Sequence, residues 1–159
     1  MEKILIDISL NLMANNLHGM LGLDVPKKHC SAILANNEVI AVGFNRYKTS
    51  KIAYEFGYIY GEYHSELDAL IQVHGELENY KKEELTLVNF RFNRFKNVKI
   101  SRPCAKCMRW AVDMFGTFVY TDVDGGMTIE RVDSGSTTQV MSNDDLVSLL
   151  KLKKEVSRV

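Results

Sequence analysis

Four side chains in this sequence have the types and spacing to do chemistry together. Cys104 and Cys107 stand at i and i+3, which puts both thiols on one face of a helix turn, close enough to share one metal ion. Pro103 suits the first helical position, because the N–H it lacks would have had no intrahelical partner there. Two thiolates alone make an incomplete zinc site. His64 supplies a third ligand; Glu66, two residues later, is poorly placed to be a fourth but well placed for another task. Three protein ligands with an open fourth position describe a catalytic zinc rather than a structural one. Other uses of these residue types are a zinc-knuckle half-site, a dithiol redox pair, or a structural zinc completed by His29, His74 or Cys30, none of which has motif spacing.

These residues need elements to hold them. Residues 64–75 read as a helix with Leu67, Leu70 and Ile71 on its apolar face and Gly75 as its C-cap. In a regular helix His64 and Glu66 would point about 200° apart, so the helix start must be special if both serve one metal. Residues 103–115 form the second metal-bearing helix, ended by Gly116. Upstream, residues 29–35 and 38–44 are strands around Asn36-Asn37, a pair that tolerates the positive φ of a tight hairpin turn. Residues 85–92 make a strand rich in β-branched and aromatic side chains, and 118–121 with 127–132 make a second hairpin. The first helix spans residues 2 to about 18, with Ile4, Leu5, Ile8, Leu12 and Met13 at helical spacing and His18-Gly19 ending it. Residues 76–84 read as a solvated connector and 134–138 as a loop. Ser142 or Asn143 caps a last helix ending near Lys154.

Composition bounds the rest. With 159 residues, 46% of them hydrophobic, the chain suits a single domain over residues 1–159 with a sizeable core. Its formal net charge of +0 gives no global field for nucleic acid. No apolar run approaches the roughly 20 residues that span a bilayer, so no membrane partner is expected. Met1-Glu2-Lys3 and Asp7 do not read as a secretory signal. Three cysteines, two of them in C-x-x-C, fit a reducing, cytoplasmic setting better than a disulfide framework. Cys30 reads as a buried strand thiol.

Two further stretches stand out. Arg91, Arg94, Lys96, Lys99, Arg102, Lys106 and Arg109 are the chain's only local positive cluster, either a phosphate-binding surface or a solvated basic loop. Tyr47, Tyr54, Phe56, Tyr58, Tyr60 and Tyr63 crowd one segment, with alternation suggesting an extended strand with one aromatic face. Such a face either stacks on bases or packs against the core or a second subunit.

Taken together, His64-Ser65-Glu66 and Pro103-Cys104-Ala105-Lys106-Cys107 form an H-x-E…P-C-x-x-C pair. At these residues the chain resembles the cytidine/deoxycytidylate deaminase superfamily of zinc-dependent nucleobase deaminases. With the order of elements around them, the resemblance extends over roughly residues 29–132. It implies a three-layer α/β/α fold around a mixed five-stranded sheet, with both metal helices side by side on one face. It also implies Zn2+ held by His64, Cys104 and Cys107, and hydroxide available near neutral pH for attack at C4 of cytosine. Glu66 would be the proton shuttle, taking the water proton, protonating N3 and later the departing ammonia. Substrate contacts would fall at Asn45, in its G-x-N context, at Ser65 through its backbone amide, and at Ser101, Arg102 and Pro103.

The resemblance also implies a homo-oligomer acting on a small-molecule nucleoside or nucleotide, with cytosine or adenine in single-stranded DNA or RNA as the alternative. Two features pull apart. The direct hairpin between the fourth and fifth strands resembles the free-nucleoside enzymes, whereas deaminases of deoxycytidylate or polynucleotides usually insert a helix there. Tyr47, however, stands where free-cytidine deaminases carry a ribose-binding glutamate. Ser65 occupies a slot that is most often alanine.

Overall fold

The computed structural model describes residues 2–21, 28–45, 55, 64–92 and 97–157. Helix α1 (Glu2–Leu21) is followed by strands β1 (Lys28–Ala35) and β2 (Glu38–Phe44). Helix α2 (Ser65–Val73) and two short 3-10 turns lead to β3 (Leu85–Phe92) and the two-residue β4 (Val98–Lys99). Helix α3 (Ala105–Met114) then precedes β5 (Thr117–Thr121), β6 (Met127–Arg131), β7 (Ser136–Met141) and helix α4 (Asn143–Ser157).

The strands form one mixed sheet in the order β2-β1-β3-β5-β6-β7, with β4 beside β3. Only β3 and β5 run parallel, with α3 connecting them; the remaining pairs are antiparallel. The sheet is therefore α/β and mixed as expected, but it has seven strands rather than five. The two extra strands are β4 and β7. Residues 134–138 read as loop because β7 is Ser-Thr-Thr-Gln-rich and mostly exposed, so no buried face imposes a visible alternation.

Alternation along the central strands divides two cores. Cys30, Ala32 and Leu34 of β1 and Val88, Phe90 and Phe92 of β3 pack with α1 and α4. Ile33 and Ala35 of β1 and Leu85 and Leu87 of β3 pack with α2 and α3. That is the period-two rule of a strand buried on both faces. On α1, Leu5, Leu12 and Met13 are buried as expected, whereas Ile4 is 54% exposed.

Local chemistry fixes the connections. Asn36 and Asn37 have φ of 50° and 65°, the positive values a two-residue hairpin turn needs. Ser142 caps α4, its Oγ accepting from the Asp145 N–H at 3.2 Å. Helix α1 runs past His18-Gly19 to Leu21. Gly75 does not adopt a left-handed cap; α2 ends at Val73 in a tight turn closed by the Glu76 N–H on the Val73 carbonyl. Gly116 has a different task from ending α3, which Phe115 does in extended conformation. A Cβ on Gly116 would sit 2.9 Å from the Lys82 carbonyl oxygen, which accepts the Gly116 N–H.

Candidate metal centre

Each half of the centre begins at a helix N-cap. His64 precedes α2 in extended conformation (φ −76°, ψ 153°), and Cys104 precedes α3 likewise (φ −67°, ψ 169°). Neither side chain caps its own helix; both turn toward the centre instead. The first intrahelical bonds run from their carbonyls, to Asp68 N–H at 3.1 Å and Met108 N–H at 2.9 Å. Pro103 therefore lies one residue before the cap, not at the first helical position. The extended N-cap also resolves the angular problem between His64 and Glu66. His64 stands outside the helix, so the 3.6-residue periodicity does not separate the two side chains.

Helix α2 is pressed onto β2 by a missing side chain. A Cβ at Gly43 would lie 2.3 Å from the Ala69 nitrogen and 2.6 Å from the Ser65 carbonyl oxygen. Only glycine lets the two backbones approach this closely. Asp68 then ties the strand end to the helix, its Oδ2 accepting the Phe44 N–H at 2.9 Å. Gln72 adds a bond to the Val42 carbonyl at 2.7 Å.

His64, Cys104 and Cys107 come together. One ligand atom from each lies within 4.8 Å of the others. Cys104 Sγ is 3.5 Å and Cys107 Sγ 3.4 Å from His64 Nδ1. A tetrahedral zinc with Zn–S of about 2.3 Å and Zn–N of about 2.0–2.1 Å spans about 3.5 Å between a sulfur and a nitrogen ligand. The donor set and its spacing therefore fit zinc. Among the described residues the group has three members; neither His29, His74 nor Cys30 joins it. Cys30 lies on the opposite face of the sheet, fully buried, and burial, then the nearby Asp68, pushes its thiol well above the ordinary range. Cys104 is the contrasting thiol. Hydrogen bonds from Cys107 and His64 pull it down to about 3 despite partial burial, leaving a thiolate ready for a metal.

Glu66 is 2% exposed and held from two sides. Asn89 of β3 donates through Nδ2 to Oε1 at 2.5 Å, and the Cys107 thiol donates to Oε2 at 3.2 Å. Asn89 Oδ1 in turn accepts from Ser31 Oγ at 2.6 Å, and Ser31 Oγ meets Ser65 Oγ at 2.7 Å. All four are buried, so a closed polar chain runs from α2 through β1 and β3 back to the Glu66 carboxylate. Ser31 and Asn89 had no role in the sequence reading. Their one signal was polarity inside otherwise apolar strands, at positions where asparagine is depleted.

The other expected contacts have these positions. Asn45 follows β2, and its Oδ1 accepts the His29 N–H at 3.1 Å. Ser65 is buried. Ser101 is a buried lock, donating to the Asn89 carbonyl at 2.9 Å, sharing a 2.7 Å bond with Thr121 Oγ1 and accepting the Thr121 N–H at 2.8 Å. Arg102 forks onto Glu130, with Nε–Oε1 and Nη2–Oε2 at 3.2 and 3.4 Å, and lies 6.0 Å over the Tyr120 ring. Burial opposes its charge, but the Glu130 hydrogen bond outweighs that and raises its pKa. Burial and Glu130 together push Tyr120 up to about 12. Pro103 is buried between Arg102 and the exposed Cys104. Tyr47, Tyr54, Phe56, Tyr58, Tyr60, Tyr63, Arg94 and Lys96 lie outside the described residues. No helix among the described residues is long and apolar enough to cross a membrane.

Comparison with protein-family models finds no match to this chain, and comparison with curated proteins finds none either. The geometry itself, a His-Cys-Cys group on a mixed α/β sheet, is compatible with a zinc deaminase fold.

Proposed function

We propose that the protein is a zinc-dependent hydrolytic deaminase that converts a cytosine nucleoside or nucleotide to its uracil form with release of ammonia. One observation carries the reading. A buried glutamate stands beside a three-ligand zinc group without belonging to it, its Oε2 3.2 Å from Cys107 Sγ and its Oε1 held by Asn89 at 2.5 Å. A structural zinc has no use for such a carboxylate and would need a fourth protein ligand.

Zinc, when bound, supplies a water acidic enough to act as a nucleophile near neutral pH. With that zinc held by His64, Cys104 and Cys107, Glu66 would accept a proton from the attacking water and deliver it to N3 of the ring as C4 is attacked. It then takes the hydroxyl proton from C4 to the departing amine, so water and the amino-pyrimidine become the oxo-pyrimidine and ammonia. The Asn89 hydrogen bond keeps the carboxylate aimed through both transfers, whereas Cys107, as a zinc thiolate, would have no proton to donate to it. Helix α3 begins at Ala105, directly after Cys104, and the positive end of its dipole favours the thiolate there. The direct β5–β6 hairpin, closed at Asp122 and Gly126, supports a free nucleoside over deoxycytidylate or a polynucleotide, whereas Tyr47, in place of a ribose-binding glutamate, weighs against a free nucleoside.

The test is ammonia release from cytidine, deoxycytidine, CMP, dCMP, adenosine and a cytosine-containing DNA oligonucleotide with zinc-loaded protein. Turnover of a monomeric cytosine compound is the expected result. Silence on all six, with zinc bound, would overturn the proposal.

A further inference from the structure

The sheet carries a second polar pair on the metal-facing side, next to the one that holds Glu66. Ser31 pairs with Asn89 across β1 and β3, and two residues further toward the strand ends His29 pairs with Arg91. Residues two apart share a face, so His29 and Arg91 stand on the same side as Ser31 and Asn89, one pleat or about 7 Å beyond them. Lys99 of β4 is in turn the cross-strand neighbour of Arg91. Three nitrogen-bearing side chains therefore occupy one row over β1, β3 and β4.

This row is frustrated as it stands. His29 Nε2 and Arg91 Nε are both buried, and neither has a hydrogen-bond partner among the described residues. Buried donors without partners are uncommon and costly, and like charges opposed across strands add to the cost. His29 feels this directly. Desolvation lowers its pKa, Glu66 and Cys104 act against that, and Arg91 and His64 lower it further. Its backbone is fixed by Asn45, whose Oδ1 accepts the His29 N–H. Asn45, His29 and Arg91 thus lie together one pleat beyond the Ser31–Asn89 pair.

We propose that His29 and Arg91 form a subsite for the phosphate of a mononucleotide substrate, reached by the sugar from a base seated at Glu66. This rests on the deaminase reading and narrows its substrate to a cytosine nucleoside monophosphate. A phosphate monoester answers the local defect: it is an acceptor for the orphaned nitrogens and an anion among Arg91, Lys99 and His29. The guanidinium fork suits a phosphate in particular. A backbone phosphodiester offers the same oxygens, but the chain's net charge of +0 gives no field to hold a polynucleotide.

Binding to the zinc-loaded Glu66→Gln protein, in which turnover is blocked, provides the test. Dissociation constants are compared for deoxycytidine, dCMP, and a cytosine-containing oligonucleotide lacking a terminal phosphate. We expect dCMP to bind at least tenfold tighter than deoxycytidine, and inorganic phosphate to compete with it. Adding Arg91→Gln should bring the dCMP-to-deoxycytidine ratio to within about twofold of one, with Arg91→Lys intermediate and zinc content retained. Equal affinity for dCMP and deoxycytidine without any Arg91 substitution overturns the subsite, whether or not the variants fold. An oligonucleotide as tight as dCMP overturns the choice of a mononucleotide. Arg91-dependent phosphate binding in a protein that deaminates nothing would sink the deaminase reading and leave the anion subsite standing.

Discussion

Asn89, on the central strand β3, donates a 2.5 Å hydrogen bond to the carboxylate of Glu66 on helix α2. The bond links the glutamate to the sheet rather than to its own helix. Its geometry therefore follows the most deeply buried part of the fold, and Ser31 fixes the asparagine's orientation through its Oδ1.

Replacing Asn89 by alanine should lower kcat by roughly 10–100-fold, in keeping with the ~1–3 kcal/mol attached to a buried hydrogen bond to a charged group. Zinc content should persist. In a Glu66→Gln background the same change should cost almost nothing more, because both substitutions remove one function. Full additivity in that double-mutant cycle would show that Asn89 acts elsewhere.

Glu66→Gln alone should keep stoichiometric zinc yet lose turnover by at least about 10²–10⁴-fold, the range expected for removal of a positioned acid–base group. Metal analysis alongside ammonia release is the measurement. An active Glu66→Gln protein would end the assigned role.

The thiols should separate by reactivity. Cys104, held down to about 3, is a thiolate throughout the neutral range, so its alkylation in zinc-stripped protein should vary little between pH 5 and 8. An ordinary thiol, with its pKa near 9.0, would react about tenfold faster per pH unit over that interval. The same depressed value has a sign for stability. The contribution is fully present above the unfolded thiol's value and is eroded as pH falls from there toward 3, because the unfolded chain takes up the proton first. Mass spectrometry after brief iodoacetamide exposure should find Cys104 modified, Cys30 untouched, and zinc protecting the former. Cys104→Ala should abolish tight zinc binding together with activity.

Gly43→Ala should destabilise the protein although it adds only a methyl group. Its Cβ would meet the Ala69 nitrogen at 2.3 Å, a backbone atom that cannot rotate away. Overpacking of this kind costs about 1–3 kcal/mol or more, a fall of roughly 3–10 °C in melting temperature for a chain of this size. Zinc affinity should fall with it, since α2 carries His64 at its start. An unchanged melting curve would mean that α2 moves freely on β2.

What could be read from the sequence follows from how strongly each feature is signalled. Strand β3 is legible over the residues it occupies because all of Leu85 to Phe92 except Asn89 and Arg91 are apolar, aromatic or β-branched. The Asn36-Asn37 turn is legible for its tolerance of positive φ, and the grouping of His64, Cys104 and Cys107 for their motif spacing. Strand β7 is not, because an exposed Ser-Thr-Thr-Gln edge strand has the composition of a loop. Pro103 lies two residues before the first helical position rather than at it, since spacing alone cannot say whether Cys104 is the cap or already in the helix. The Ser31–Asn89 chain was hidden for another reason. A hydrogen bond between residues 58 positions apart leaves no periodic trace, only an isolated polar letter in each strand.

The division of β1 between two faces bears on folding fidelity. Cys30 and Ser31 are adjacent, and the pleat alone decides which meets the metal helices. A one-residue slip of β1 would carry Ser31 away from Asn89 and bring a third thiol to the zinc side. A misregistered chain would then hold a wrong and very stable ligand set, a trap that zinc itself would deepen. The left-handed Asn36-Asn37 turn and the irregularity between Ile33 and Leu34 pin that register. Two asparagines remote from the centre thus decide which side chains of β1 face it.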